Sequence, residues 1–142
     1  MKFWDTSALF VLLTVQKGSS SAAGVFSSDP EVAMWWGTPV ELASAAARLR
    51  GMGEVDDAGY VRILSKIGPL AQSTEEVQPT EEVRQTALRL IRVHDLRAAD
   101  SLQLAAALVW ARHVPTGIEF VCMDARLRAA AEKEGFSVAA TG

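Results

Sequence analysis

Short saturated apolar runs alternate along the chain with longer stretches in which apolar residues recur at helical spacing. Residues 2–5 alternate weakly and lead through Thr6-Ser7 into the apolar run 8–13. This predicts a short buried strand ending at Asp5, a turn, and a helix from near Ser7. Residues 18–24, rich in Gly, Ser and Ala, read as a loop or a short frayed helix. After the breaker Asp29-Pro30, the apolar and aromatic stretch 32–36 predicts a second strand. Thr38-Pro39 then predicts a helix start in which Thr caps and Pro occupies the first helical position, where no N–H is needed. That helix runs through Glu41 and ends near Gly51. A further helix is predicted over 55–67, stopped by Gly68-Pro69, and another over 80–93, opened by Thr80-Glu81-Glu82.

The stretch 97–112 is the most telling. Between Ala98 and Ala111 only Asp100, Ser101 and Gln103 are polar, so a helix here is apolar nearly all round and belongs in the centre of the molecule. A strand over 118–123, a helix over 125–134 and a last strand over 136–139 complete the pattern. Strands separated by helices predict a small, mainly parallel sheet covered on both faces. The expected fold is therefore an α/β protein, a three-layer α/β/α sandwich, with residues 1–142 forming a single domain.

Bulk properties narrow the function classes. Hydrophobic residues make up 49% and charged residues 22%, a globular balance. The strongly apolar run 104–111 is eight residues long, far short of the roughly 20 needed to span a bilayer. An acid at position 5 stands where a signal peptide would need an apolar region, so a cytoplasmic protein without membrane association is expected. The single cysteine, Cys122, lies in an apolar run and reads as a buried core thiol; no Cys/His cluster suggests zinc. The net charge of −3 and pI of about 5.4 exclude a basic nucleic-acid coat. They leave room for a nuclease, whose acids are neutralised by bound ions.

Four acids draw the attention. In parallel sheets, ligands collect at the carboxyl ends of the strands. Asp5 ends the first strand, Asp124 follows the strand over 118–123, and Glu41 lies in the first turn of the helix after the second strand. Topology alone thus gathers three acids at one sheet edge. Asp5 and Asp124 are also natural helix caps, and Glu41 suits a helix N-terminus. Asp100 is harder to explain structurally, because its helix is so apolar; burying a lone carboxylate costs several kcal/mol unless something pairs with it. Arg97, one turn earlier, and a metal ion are the two candidate partners. Convergent acids without a neighbouring His or Lys suit a hard divalent cation and metal-assisted phosphodiester hydrolysis.

Other candidates carry less. His94 and His113 sit near helix ends, where a cation is favourable, and read as structural. Thr6-Ser7 lacks a visible His–acid partner for a nucleophile. Gly51-x-Gly53 has neither the third glycine nor the strand of a phosphate loop. Trp4, Trp35, Trp36 and Trp110 read as core aromatics before base-stacking ones. Arg97 and Arg48 are the best candidates for touching a phosphate, Arg48 lying two helical turns beyond Glu41 on roughly the same face. Glu75-Glu76 and Glu81-Glu82 read as a solvated acidic face.

Four strings then carry a resemblance: Phe3-Trp4-Asp5-Thr6-Ser7-Ala8-Leu9, Val40-Glu41-Leu42, Leu96-Arg97-Ala98-Ala99-Asp100-Ser101-Leu102-Gln103-Leu104-Ala105 and Phe120-Val121-Cys122-Met123-Asp124-Ala125-Arg126-Leu127. In order and separation they resemble PIN-domain nucleases over nearly the whole chain, and among these the VapC toxins of bacterial and archaeal toxin–antitoxin pairs. The resemblance implies a magnesium- or manganese-dependent endoribonuclease acting on RNA, commonly a homodimer, held inactive by a small cognate antitoxin. It implies that Asp5 and Asp100 hold the metal, that Asp124 and Glu41 complete the site, and that Ser7 hydrogen-bonds within it. The family usually has Thr or Ser two residues before the fourth acid, where this chain has Cys122. Two rival expectations remain: a catalytically silent PIN-fold binding module, and a metal-dependent phosphohydrolase acting on small phosphoesters. Trp36 and the helix over 55–67 are the candidate dimer contacts.

Overall fold

Successive side chains of the strands point to opposite faces of the sheet, and here both sets are apolar. In the computed structural model, which describes residues 1–139, the strands are β1 (Lys2–Trp4), β2 (Val32–Trp35), β3 (Glu75–Val77), β4 (Glu119–Val121) and β5 (Ser137–Val138). They pair in the order β3-β2-β1-β4-β5, every pair parallel. Phe3, Ala33, Trp35 and Phe120 face one side, Trp4, Val32, Met34 and Val121 the other.

Each face has its own helices. The Trp4 side is covered by α1 (Thr6–Leu13), α2 (Ser19–Ser28), α3 (Thr38–Gly51) and α4 (Asp57–Ser73), through Leu9, Ala22, Leu42 and Ile63 among others. The Phe3 side is covered by α5 (Glu81–Val93), α6 (Ala98–Trp110) and α7 (Ala125–Glu134), through Leu90, Leu104 and Leu127. Phe3 stacks on Phe120 at 5.6 Å between ring centres. The three-layer α/β/α sandwich is the expected one. As expected, α6 is the central helix: residues 103–108 are all buried. No helix among the described residues is long and apolar enough to cross a membrane.

Several elements differ from expectation. The Gly/Ser/Ala stretch forms a full helix, α2, seated by buried Ala22 and by Ser19, whose hydroxyl lies 2.7 Å from the Val11 carbonyl and 2.8 Å from that of Thr14. Helix α4 passes through Gly68-Pro69 instead of stopping there. Pro69 removes the N–H that Ser65 would have accepted, but both residues are exposed, so water can serve that carbonyl. Leu70 and Ala71 beyond it pack against the core and hold the continuation. Thr38 is not the cap of α3: Gly37 takes that position, and Thr38 is the first helical residue, fully buried. Glu75 and Glu76 lie in edge strand β3, which the sequence pattern does not reveal; the strand at 118–123 is shorter, and Trp36 falls just outside β2, half-exposed.

Candidate active site

Strands β1 and β4 are parallel neighbours, with Trp4 opposite Val121. The residues that follow them therefore leave the same sheet edge side by side, where the strand order turns back on itself. Asp5 leaves β1 in extended backbone and caps α1, its Oδ1 accepting the Ala8 N–H at 3.3 Å. Asp124 leaves the β4 end and caps α7, accepting the Leu127 N–H at 2.9 Å. Both acids are caps, and both also face the cleft described below.

Asp5 is only 4% exposed. Burial pushes its carboxyl up to about 7, against the pull of hydrogen bonds from Ser7, the Ala8 backbone and Cys122. The Ser7 hydroxyl donates to Asp5 Oδ1 at 2.8 Å and accepts the Met123 N–H at 2.9 Å, so one side chain ties the ends of β1 and β4 together. The Cys122 sulfur lies 3.8 Å from Ser7 Oγ and accepts the Asp124 N–H at 3.3 Å. It is fully buried, and burial pushes the thiol well above its usual range, so it is neutral. A sulfur thus stands directly behind the acids, touching the groups that hold them.

Glu41, in the first turn of α3, is half-buried; burial and then the Asp100 charge push its carboxyl up, while hydrogen bonds from Gln103 and Thr6 pull it down. Asp100, in the first turn of α6, is half-buried as well. Burial and the Asp124 charge raise its carboxyl, opposed by Arg97 and Arg126. The expectation that Asp100, on so apolar a helix, is a buried carboxylate is therefore corrected to a half-buried one. The first turn of α6 opens at the sheet edge, and full burial begins only at Ser101 and Gln103. Asp5 is the acid with the poorest access to water.

All four carboxylates, with Ser7 and Arg48, line one open cleft of about 400 Å³. Behind Asp100 and Asp124 a second depression of about 340 Å³ continues between Arg97 and Arg126. Among the described residues none of the four acids is in a salt bridge; Arg126 is 3.7 Å from Asp95, and Arg97 acts on Asp100 only through space. His94 contacts Glu134 at 2.7 Å and His113 contacts Glu82 at 3.0 Å, both away from the cleft. Trp4 and Trp35 are core residues, and Trp110 packs 6.2 Å from Phe3.

Gln103, Thr6, Thr38 and Arg126 join the site without having been singled out by the sequence pattern. Gln103 is 1% exposed, and its amide nitrogen lies 2.8 Å from Thr6 Oγ1, 3.0 Å from Thr38 Oγ1 and 3.1 Å from Glu41 Oε2. A signal for it was present: it is the one long polar side chain in an apolar helix, three residues after Asp100 and so on the same face.

The donor set fits a hard divalent cation. It consists of oxygens, the acids repel one another, and Asp5 is buried without a counter-charge. As they stand, among the described residues no three His, Cys, Asp or Glu side chains are drawn together tightly enough to hold an ion by themselves.

The chain resembles two curated proteins, Ribonuclease VapC45 and Ribonuclease VapC49, from the CDC 1551 / Oshkosh and H37Rv strains of Mycobacterium tuberculosis. It is 32% identical to each, across 81% of this chain and 87% of theirs. Among solved structures it superposes on a toxin–antitoxin complex from Klebsiella pneumoniae (TM-score 0.67, 14% identity, 91% of both chains). It also superposes on FitAcB from Neisseria gonorrhoeae (0.64, 17%, 97% of this chain and 96% of that one) and on PAE2754 from Pyrobaculum aerophilum (0.63, 21%, 97% and 88%). At these identities the structures speak for the fold. No protein-family model matches the chain.

Proposed function

The chain belongs to the VapC ribonuclease family, and from that premise we propose that it is a divalent-cation-dependent endoribonuclease, the toxin of a toxin–antitoxin pair. The observation that carries this is the cleft itself: four carboxylates line it, none ion-paired among the described residues, with Asp5 buried. In this reading Asp5, Asp100 and Asp124 hold Mg²⁺ or Mn²⁺, and Glu41 completes the set through water. When bound, such an ion lowers the pKa of a coordinated water and offsets charge on the phosphate under attack. The protein's own part is orientation. Ser7 fixes the Asp5 carboxylate, the α1 and α7 N-termini fix Asp5 and Asp124 as caps, and Arg48 in the cleft and Arg97 in the adjoining depression take neighbouring phosphates. Cytoplasmic RNA is the substrate class. A cleft that continues past the acids between two arginines favours a polymer over a small phosphoester.

Partner and assembly belong to the same proposal. One relative in fold comes from a toxin–antitoxin complex, and we extend a cognate antitoxin to this chain. A homodimer would use Trp36 and α4, where Trp36 is 50% and Val61 61% exposed.

Incubating labelled RNA with the protein and Mn²⁺ tests the activity. Cleavage should require the ion and fall by at least about a hundredfold in Asp100→Asn, the lower end of what removing one well-placed electrostatic group costs. Intact RNA in the presence of Mn²⁺ would refute the ribonuclease. Turnover of a nitrophenyl phosphate with RNA spared would favour the small-phosphoester enzyme, and chelator-insensitive RNA binding the silent module.

A further inference from the structure

We propose that Gln103 is a positioning residue for the acid cluster: its buried amide holds the Glu41 carboxylate and so couples α3 to the turn of α6 that carries Asp100. This rests on the metal-dependent reading above. Three elements meet at one nitrogen. Gln103 Nε2 lies within hydrogen-bond reach of Thr6, next to Asp5 at the start of α1, of Thr38 at the start of α3, and of Glu41 one turn further along α3. An amide has two protons, so three acceptors compete for them. The carboxylate takes the stronger share, because a hydrogen bond to a charged acceptor is roughly twice as strong as one to a neutral hydroxyl.

The other end of the same amide shows what the residue is not for. Among the described residues, Gln103 Oε1 is buried with no hydrogen-bond partner. A buried acceptor left unmade is destabilising, and an apolar side chain of the same shape escapes that penalty. Stability therefore does not explain a glutamine at the centre of the most apolar helix. Its donor end does, because only the donor end points at the acids. Turning the amide over would set Oε1 against Glu41 Oε2, two acceptors facing each other. The charge on Glu41 thus fixes the amide's orientation, and the amide in turn fixes the Glu41 rotamer. Residues that orient ligands from behind typically change metal affinity about 10–100-fold when removed.

The experiment is a calorimetric Mn²⁺ titration of the full chain as wild type, Gln103→Met, Glu41→Gln and the double variant, with folding checked by circular dichroism. Gln103→Met, isosteric and apolar, should weaken Mn²⁺ binding about tenfold or more. The double variant should bind no more weakly than Glu41→Gln alone, because Gln103 acts through Glu41. A purely structural Gln103 would instead lower the melting temperature and leave the affinity of the folded fraction alone. Gln103→Asn is the second variant: it keeps the amide but ends one methylene short of Glu41, and it should lose affinity by a similar factor. Wild-type affinity in both Gln103 variants, or losses that multiply in the double variant, would overturn the proposal. RNA cleavage by the wild type is followed separately. Mn²⁺ binding without cleavage defeats the ribonuclease reading while the titrations still decide Gln103; no Mn²⁺ binding by the wild type defeats both.

Discussion

Asp5 and Cys122 show how single residues here trade stability for chemistry. A carboxylate held up to about 7 binds more protons in the folded state than in the unfolded one across the window from 3.8 to about 7. Stability of the metal-free protein should therefore fall as pH rises through that window. Asp5→Asn keeps a cap for the Ala8 N–H and removes the buried charge. Its melting temperature in chelator at neutral pH should equal or exceed that of the wild type, and it should no longer rise with Mn²⁺. A variant that melts lower yet still responds to Mn²⁺ would contradict this account. At Cys122, the thiol donates to the Asp124 carbonyl at 3.4 Å and its sulfur accepts the Asp124 N–H at 3.3 Å. Cys122→Ser offers a better donor and acceptor in the same place, so Mn²⁺ binding should tighten several-fold, checked by the same titration; unchanged or weaker binding would show that the sulfur is no handicap. Sequence order gave away Asp5, Asp124 and Glu41, because strand ends can be read from apolar runs. It overstated the burial of Asp100, since helical periodicity does not reveal which turn lies at the open edge of a sheet.

The elements that escaped the sequence reading share a cause: tertiary contacts overrode local signals. Three residues of β3 carry two glutamates and qualify as a strand only because β2 offers an unpaired edge. Helix α2 is built from weak helix formers, and the buried Ala22 and the Ser19 contacts hold it. Pro69 is a strong stop signal in sequence, yet α4 continues because Leu70 and Ala71 find the core while the orphaned carbonyl faces water. The proline should then be a liability. Pro69→Ala restores one helical hydrogen bond and should stabilise the protein by about 1–2 kcal/mol, the roughly 3 kcal/mol helix penalty being partly offset by greater freedom of the unfolded chain. Chemical denaturation would measure it. A destabilised Pro69→Ala would mean that the proline is built into the packing of α4 and not merely tolerated.

At the scale of the whole molecule, the layered fold was legible because the apolar strand patterns are separated by helical ones, and a parallel sheet covered on both faces is what that order allows. The path of a substrate was not, because it depends on which arginines the fold gathers. A net charge of −3 argues against RNA if charge is averaged over the surface. Locally it is not averaged: Arg48 lines the cleft with the four acids, and Arg97 and Arg126 line the depression that shares Asp100 and Asp124 with it. Of these, Arg126 was not assigned a role from sequence, because its place beside Asp124 depends on how the first turn of α7 leaves the sheet. An RNA strand crossing the acids would meet these cations beside them, so the arginines should set binding and the acids turnover. Arg48→Ala and Arg126→Ala should each raise KM for RNA several-fold with kcat nearly unchanged. Each should also flatten the salt dependence of binding, lowering the log–log slope by about 0.7 for every phosphate of a single strand that the variant leaves unneutralised. Steady-state kinetics at several salt concentrations would measure both quantities. If kcat collapses while KM and the slope stay put, these arginines act on the reacting phosphate itself, and the strand takes another route across the cleft.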